Sequence, residues 1–412
     1  MQTVIVEETE VETLLMTLGE IGRVGDTGVS RLAYSPEWVA AMEVCRRYAE
    51  DAGLAIRQDA VGNLWARLPG HTDAPALVTG SHIDSQDPGG RYDGALGAVG
   101  GLIALKAIKQ QMGTPKRSLE AVVLCEEEGS RFPTTGFWGS RAIVGKITPD
   151  DLATTVSFDG VPIGEAMAAI GLDPAAVTDA RRTDIGGFVE LHIEQGPILE
   201  AEDLPVGLVT AINGMGQFEV VLEGQDNHAG ACPMDLRCDP MAGFAEIASS
   251  LIDHAHRAGR PTVTTIGQVA AEPAGIAIVP RRVRFSIDAR HPDPETRRAL
   301  YATQDRMMTE ICQRRGLRYE RKALINLEPC QSDPDILQKM KTAAAQLGLA
   351  HRMMISGAGH DAQQMSLIAP VAMIFVRSAG GRSHTPEEFS TLADCTDGIR
   401  LLAQTLCLMS FG

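Results

Sequence analysis

The stretch GSHIDSQDPGGRYDGALGAVG, residues 80–100, decides how this chain is read. It follows an apolar run, Ala76-Leu77-Val78, so His82 and Asp84 stand just past the end of a predicted strand. A loop rich in Gly and Asp comes next, with Asp93 as its last acidic residue. From Leu96 the apolar spacing of LGAVGGLIALKAI suits a helix. Strand end, acidic loop and helix start together make a place where ligands converge in an open α/β sheet. One imidazole and one carboxylate there suit a divalent metal. Taken alone, the stretch also describes a polar loop with a satisfied histidine and capping carboxylates.

Further strand ends repeat the pattern. Residues 119–125 read as a buried strand running into Glu126-Glu127-Glu128. Three adjacent carboxylates after a buried strand are costly to place without a cation, unless the loop is simply solvated. Residues 130–139 read as an irregular loop. Residues 185–193, IGGFVELHI, are strand-like and bring His192 to a strand end, and the apolar run 371–376 leads into a loop carrying His384. Earlier, Ser35-Pro36-Glu37 is an N-cap, first-turn proline and acidic first turn. Val39, Met42 and Cys45 mark the expected buried face of that helix. Strands are expected near Ile56 and Leu64-Trp65, and at 351–355; helices are expected at 333–347, 361–368 and 392–409.

Between residues 213 and 326 the character differs. Strand 217–222, helix 239–258, strands 262–270 and 283–290, helix 294–315 and strand 317–324 follow in order. That β-α-β-β-α-β sequence is a ferredoxin-like unit. The expected architecture is therefore α/β: a catalytic domain with a mixed sheet flanked by helices, residues 1–212 and 327–412, holding an inserted ferredoxin-like domain, residues 213–326. At 412 residues the chain exceeds the roughly 250–300 at which single cores stop growing, which also favours two domains.

Composition narrows the function. A net charge of -16 argues against nucleic-acid and membrane-surface partners. The start, MQTVIVEETEVETLL, lacks the basic and continuous apolar parts of a signal peptide. No stretch approaches the ~20 apolar residues of a membrane span. Eight scattered cysteines without a CxxC pair read as reduced thiols in a cytoplasmic protein and make thiolate metal ligation unattractive. Gly94, Gly97 and Gly100 are spaced GxxGxxG rather than the GxGxxG of dinucleotide sites, and phosphates would meet Asp84, Asp87 and Asp93.

Together the strand ends supply His82, Asp93, Glu127, Glu128, His192 and His384. Imidazoles and carboxylates of this kind suit zinc, or manganese and cobalt in a more oxygen-rich site. Five ligands exceed one tetrahedral site with an open position, so they divide between two ions sharing a carboxylate. Asp93 is the candidate bridge, and one Glu of the pair is left over as a base.

The segments GSHIDSQDPGGRYDG, EEEGSRF, HIEQGPILE, NHAG..PM..R.DP, SGAGHDA and GGRSHTPEEFS carry a resemblance. In this order they resemble the signatures of the amidase, hydantoinase/carbamoylase family within the M20-type metallopeptidases. That branch includes N-carbamoyl-L-amino-acid hydrolases, allantoate amidohydrolases and β-ureidopropionases. The resemblance implies His82, Asp93, Glu128, His192 and His384 as ligands of two divalent ions per subunit, Zn, Mn, Co or Ni, with Asp93 bridging. It implies Glu127 as general base and His228 as an oxyanion-stabilising residue that reaches the partner's site in a homodimer. Gln195, Arg290, Asn227, Gly359 and His360 match substrate contacts, Arg237 matches a further family position, and Asp84 is expected to orient His82. The implied reaction is attack by a bridging hydroxide on an N-carbamoyl-L-amino acid or related ureido acid, with release of ammonia, carbon dioxide and an amino acid. An N-acyl-amino-acid hydrolase or dipeptidase on the same scaffold is the alternative, and a non-catalytic metal-binding protein a remote one. Two departures bear on the substrate: relatives read PNxxNxVP where this chain has Ala277 at the second Asn, and Arg377 stands where relatives often have Pro.

Overall fold

The computed structural model describes residues 3–133 and 135–411. Met1, Gln2 and Gly412, at the ends of the expected domain spans, and Thr134, inside the loop expected at 130–139, lie outside the described residues. The chain divides into two compact units, Met1–Thr210 with Gln331–Gly412, and Ala211–Cys330. Among the described residues no helix is long and apolar enough to cross a membrane.

The first unit is built on a nine-stranded mixed sheet flanked by helices, as the hydrophobic runs predict. From one edge its strands are Cys330–Gln331, Val206–Ile212, Val371–Val376, Ile185–Ile193, Thr72–His82, Arg117–Leu124, Leu64–Leu68 and Ala55–Gln58, with His351–Ser356 also pairing to Val206–Ile212. The four strands from Val371–Val376 to Arg117–Leu124 run parallel, and antiparallel partners flank them on both sides. Their residues are buried on both faces, which explains the near-continuous apolar runs in place of alternation. Parallel strands also share one direction, so all four carboxyl ends open on the same edge.

The helix Ala95–Met112 lies on this sheet. Leu96, Val99, Leu102, Ile103, Leu105 and Ile108 are fully buried, each stabilising the fold by roughly 1.5–3 kcal/mol. Its glycine spacing has a packing cause. A Cβ on Gly97 would lie 2.0 Å from the Leu191 carbonyl oxygen, so the helix can approach the neighbouring strand only without a side chain there.

Some local expectations are corrected. In the helix Pro36–Asp51, Ser35 accepts from the Trp38 N–H as an N-cap, but Val39 is exposed. The buried stripe is Trp38, Ala41, Met42, Cys45 and Ala49, which follows the helical period once the large Trp38 is taken as its start. The expected irregular loop at 130–139 ends in a short helix, Trp138–Ile143, and the acidic amino-terminal segment forms the helix Glu8–Glu20 with Val11, Leu14, Leu15 and Leu18 buried.

The second unit has strands in the order Val263–Thr265, Arg282–His291, Gly214–Glu223 and Arg318–Leu327, all antiparallel. This is a ferredoxin-like arrangement with the helices Pro240–Ala258 and Pro294–Arg315. Phe218, Val220, Leu222, Val283, Phe285 and Ile287 form one apolar face, covered by Ile247, Leu251, Leu300 and Met308. The strand expected at 262–270 is broken into Val263–Thr265 and Val269–Glu272, because the Gln268 N–H turns to the Ser286 hydroxyl instead of a ladder carbonyl.

Candidate metal centre

Within the first unit, His82 ends the strand Thr72–His82, His192 lies one residue before the end of Ile185–Ile193, and residues 126–128 follow Arg117–Leu124. His384 lies in the loop after Val371–Val376. The structure brings these side chains around Asp93. Asp93 Oδ1 lies 3.1 Å from His192 Nε2 and 3.5 Å from His82 Nε2. Asp93 Oδ2 lies 3.4 Å from His384 Nε2, which is itself 3.4 Å from Glu128 Oε2. Glu127 Oε2 is 3.6 Å from His82 Nε2. The two carboxylate oxygens thus face two separate ligand groups, His82–Asp93–His192 and Asp93–Glu128–His384.

The imidazoles are held in one tautomer. His82 Nδ1 is 3.0 Å from the Asp84 carbonyl oxygen and His192 Nδ1 is 3.0 Å from that of Ile193. A carbonyl can only accept, so each Nδ1 carries a proton, which turns each Nε2 toward Asp93 and leaves it the ring atom available to an ion. Asp84 therefore holds His82 through its backbone. Its carboxylate, 3.8 Å from the ring, instead accepts the N–H groups of Glu127 at 3.2 Å and Glu128 at 3.1 Å. One residue anchors both the imidazole and the acidic loop.

Glu388, Ser383 and Glu190 escaped the sequence reading, whereas Gln195, Gly359 and His360 were expected there as substrate contacts. Glu388 is buried, and its Oε1 accepts the N–H groups of Tyr92 and Asp93, both at 2.9 Å. Ser383 Oγ stands 2.8 Å from both Asp93 Oδ2 and Glu388 Oε2. Gln195 Nε2 donates to Asp93 Oδ2 at 2.8 Å, while Gln195 Oε1 has no protein hydrogen-bond partner among the described residues. Buried Glu190 accepts from the Ser81 hydroxyl at 2.7 Å and the Ala362 N–H at 2.8 Å, below His192. His360 packs its ring 4.6 Å from that of His192, with Nε2 2.8 Å from Ser356 Oγ, and a Cβ on Gly359 would meet the Phe137 ring at 3.0 Å. The only sequence signal for Ser383 and Glu388 is their place beside His384.

The electrostatics of the buried acidic groups favour a cation among them. Burial, with Glu128 and Asp361 adding and His82 opposing, pushes Glu127 well above the usual carboxylate range. Burial and then Asp93 push Glu128 up to about 7, and burial and then Asp84 push Glu126 up to about 8. Asp93 goes the other way: burial opposes its charge, but His192, His384 and His82 hold it well below the usual range. The hydrogen bond to Asp93 raises His384 to about 9. Glu128 Oε1 is buried without a hydrogen-bond partner among the described residues. Ligands at ~2.0–2.1 Å from a tetrahedral zinc lie about 3.3 Å apart, close to the separations around Asp93. The donor set fits divalent metal.

Three residues here adopt left-handed backbone: Glu126 at φ 51°, Gln195 at φ 57° and His384 at φ 56°. Such strain in non-glycine residues costs of order 1–3 kcal/mol and gathers where side chains must be aimed.

In the second unit, Asn227–His228 pairs with Ile278–Val279 in a short ladder. His228 is exposed, and its Nδ1 accepts the N–H groups of Gly230 and Ala231, both at 3.1 Å. Its Nε2 therefore carries the proton and can donate outward. Arg237 braces the same loop, with Nε 3.0 Å from the Cys232 carbonyl oxygen. Asn227 Nδ2 is 3.4 Å from the Gln225 carbonyl oxygen. Ala277 accepts the Ala229 N–H at 2.9 Å, so position 277 lies beside the His228 loop. Arg290 forms a two-pronged pair with Asp288, at 2.7 and 2.8 Å. In the first unit, Arg377 grips Asp394 with two bonds of 2.9 Å at the start of the helix Leu392–Ser410, and Asp203 with a third of 2.8 Å, which gives this arginine a structural use.

A shared buried carboxylate among three imidazoles, at the carboxyl edge of a mixed sheet, defines the class: a hydrolase equipped to hold metal. The model of peptidase family M20/M25/M40 matches residues 68–407. The chain is 38% identical over 396 residues to the allantoate amidohydrolase of Bacillus subtilis, covering 96% of each. It is 36% identical over 412 residues to the N-carbamoyl-L-amino-acid amidohydrolase of a Pseudomonas species, covering 98% of this chain and 99% of the other. A crystal structure of a hydantoinase/carbamoylase family amidase from Burkholderia multivorans superposes with a TM-score of 0.91 at 32% identity, covering 99% of both chains. The chain belongs to peptidase family M20/M25/M40, and its similarities lie in the amidohydrolase branch of that family.

Proposed function

We propose that this hydrolase cleaves a C–N bond of an N-carbamoyl-L-amino acid or a related ureido acid such as allantoate, releasing ammonia, carbon dioxide and an amino acid. The names of its relatives support the substrate class. The observation that carries the chemistry is the Asp93 carboxylate, each of whose oxygens faces its own set of ligands. His82 and His192 would hold one divalent ion, Glu128 and His384 the other, with Asp93 shared. Ions bound there, zinc, manganese, cobalt or nickel, supply Lewis acidity and lower the pKa of water.

Glu127, buried and raised in pKa, is suited to take a proton from water at Oε2 and pass it to the leaving nitrogen. Gln195 Oε1, buried and without a protein partner among the described residues, is suited to accept a substrate N–H, with Gly359 and His360 closing the site beside His192. Arg290 offers a guanidinium for the substrate carboxylate, held ready by Asp288, and Asn227 stands beside His228. His228, with its proton on Nε2, is the oxyanion donor, lent to the partner's site in a homodimer. The scattered cysteines favour a cytoplasmic setting.

An ammonia-release screen over ureido acids and allantoate tests this reading, with wild type and Glu127→Gln compared in the presence of Mn or Zn. We expect ammonia from wild type and a loss of about 100-fold or more in Glu127→Gln, with metal binding retained. Full activity in Glu127→Gln refutes the base assignment. Cleavage of N-acyl amino acids without ammonia from any ureido acid refutes the substrate class.

A further inference from the structure

The antiparallel side of the central sheet carries a second concentration of charge. The strands Ala55–Gln58, Leu64–Leu68 and Arg117–Leu124 set Arg57 opposite Trp65, and Arg67 opposite Glu120. Alternation puts Trp65 and Arg67 on one face, where residues 181–184 join them to line a cleft of about 440 Å³. Four arginines meet only two carboxylates there, a local positive excess in a chain of net charge -16. The cleft lies toward the amino-terminal starts of the parallel strands, whereas the metal centre follows their carboxyl ends.

The arginines are not equivalent. Arg182 is committed to Glu120 and Asp184, each through a contact of 2.9 Å, and Arg67 to Glu120 and Ser118. Arg57 and Arg181 make no side-chain hydrogen bond or ion pair among the described residues. Arg57 is instead stacked 4.4 Å from the Trp65 ring centroid, with Arg182 at 4.6 Å from the same centroid. Trp65 is buried, and its Nε1–H donates to Asp59 Oδ2 at 2.9 Å, so the platform is rigid. A stacked guanidinium keeps its in-plane N–H donors available.

We propose that this cleft binds a compact multivalent oxyanion, a phosphate group either free or esterified on a small metabolite. A tetrahedral dianion offers enough acceptor oxygens for separate guanidinium groups, whereas a single carboxylate is saturated by one. A nucleic acid would be repelled by the rest of the surface, and a nucleotide base finds no open ring face on the buried Trp65.

The test is calorimetric titration of the full-length, metal-loaded protein with inorganic phosphate and with glycerol 3-phosphate, at constant ionic strength against chloride. Wild type is compared with Arg57→Gln, Arg181→Gln and the charge-preserving Arg57→Lys. Saturable binding that weakens about tenfold with loss of each guanidinium, and less in Arg57→Lys, is the expected result. Tighter binding of one titrant then identifies the free or the esterified form as its ligand. Equal thermal midpoints in phosphate-free buffer establish that the variants fold, since both positions are exposed. Affinity unchanged by both glutamine substitutions places the anion elsewhere, at the metals for instance, and overturns the proposal. Absence of binding at millimolar phosphate overturns it as well.

Discussion

Replacing Gly94 by Ala probes the join between fold and metal centre. Gly94 has φ 62° and ψ -45°, a conformation that L-residues avoid at a cost of about 1–2 kcal/mol. Its added Cβ would lie 2.3 Å from His82 Cε1 and Nε2, and 2.4 Å from Nδ1. Ordinary contact requires about 3.4 Å or more, so the ring must retreat by roughly 1 Å, and such overpacking costs about 1–3 kcal/mol. The two terms give about 2–5 kcal/mol, and a thermal midpoint lowered by about 5–15 °C for a unit of this size. Retreat also pulls Nε2 away from the Asp93 side, so metal affinity should fall about 100-fold, the upper end of what disturbing a ligand's support costs. Gly113 provides the control: it has φ 78° at the other end of the same helix, and a Cβ there meets nothing within 4 Å. Gly113→Ala should carry the backbone cost alone and leave metal affinity unchanged. Differential scanning calorimetry and metal titration read the two effects separately. Wild-type metal affinity in Gly94→Ala refutes the argument that this glycine exists to admit the His82 ring.

Glu388→Ala leaves the buried N–H groups of Tyr92 and Asp93 unpaired at about 1–3 kcal/mol each. We expect metal affinity to fall about 10–100-fold, as when a ligand loses its support, and unchanged affinity would remove Glu388 from the centre. Arg377→Ala should destabilise by about 1–3 kcal/mol through loss of its pairing with nearly buried Asp394 while kcat stays near wild type; a large change in substrate preference would instead tie position 377 to specificity. Stripping metal should make stability depend on pH. Glu126 and Asp361 are pushed up to about 8, and Glu128 and Glu388 up to about 7, all chiefly by burial. A raised folded-state pKa means that stability is full below the unfolded value near 4 and is lost as pH rises through the folded one. His384, raised to about 9, acts in the same sense. The midpoint of chelator-treated protein should therefore fall between about pH 6 and 9, with added metal restoring more at the upper end; a flat or rising profile contradicts this.

Much of the fold was legible in the sequence because its signals are local. A strand buried on both faces must be a short continuous apolar run, and a strand exposed on one face must alternate, so residues 119–125 and 283–290 announce different sheets. The same logic put His82, Glu127, Glu128 and His192 at strand ends, where only polar residues with a purpose follow an apolar run. Residues 80–100 likewise read as loop, then helix, from spacing alone.

Tertiary structure decided which of those ends are neighbours and what each atom does there. Asp93 Oδ1 faces two histidines and Oδ2 a third because strands paired across more than a hundred residues carry them to one edge. Glu388 and Ser383 act on Asp93 from nearly 300 residues away, beyond the reach of any local pattern. Asp84 serves His82 through its carbonyl and the acidic loop through its carboxylate, and residue type alone cannot express that division. Periodicity records which face of an element is buried. Hydrogen bonds and approaches within 3 Å depend on non-local packing, which fixes the orientation of each group only once the sheet is assembled.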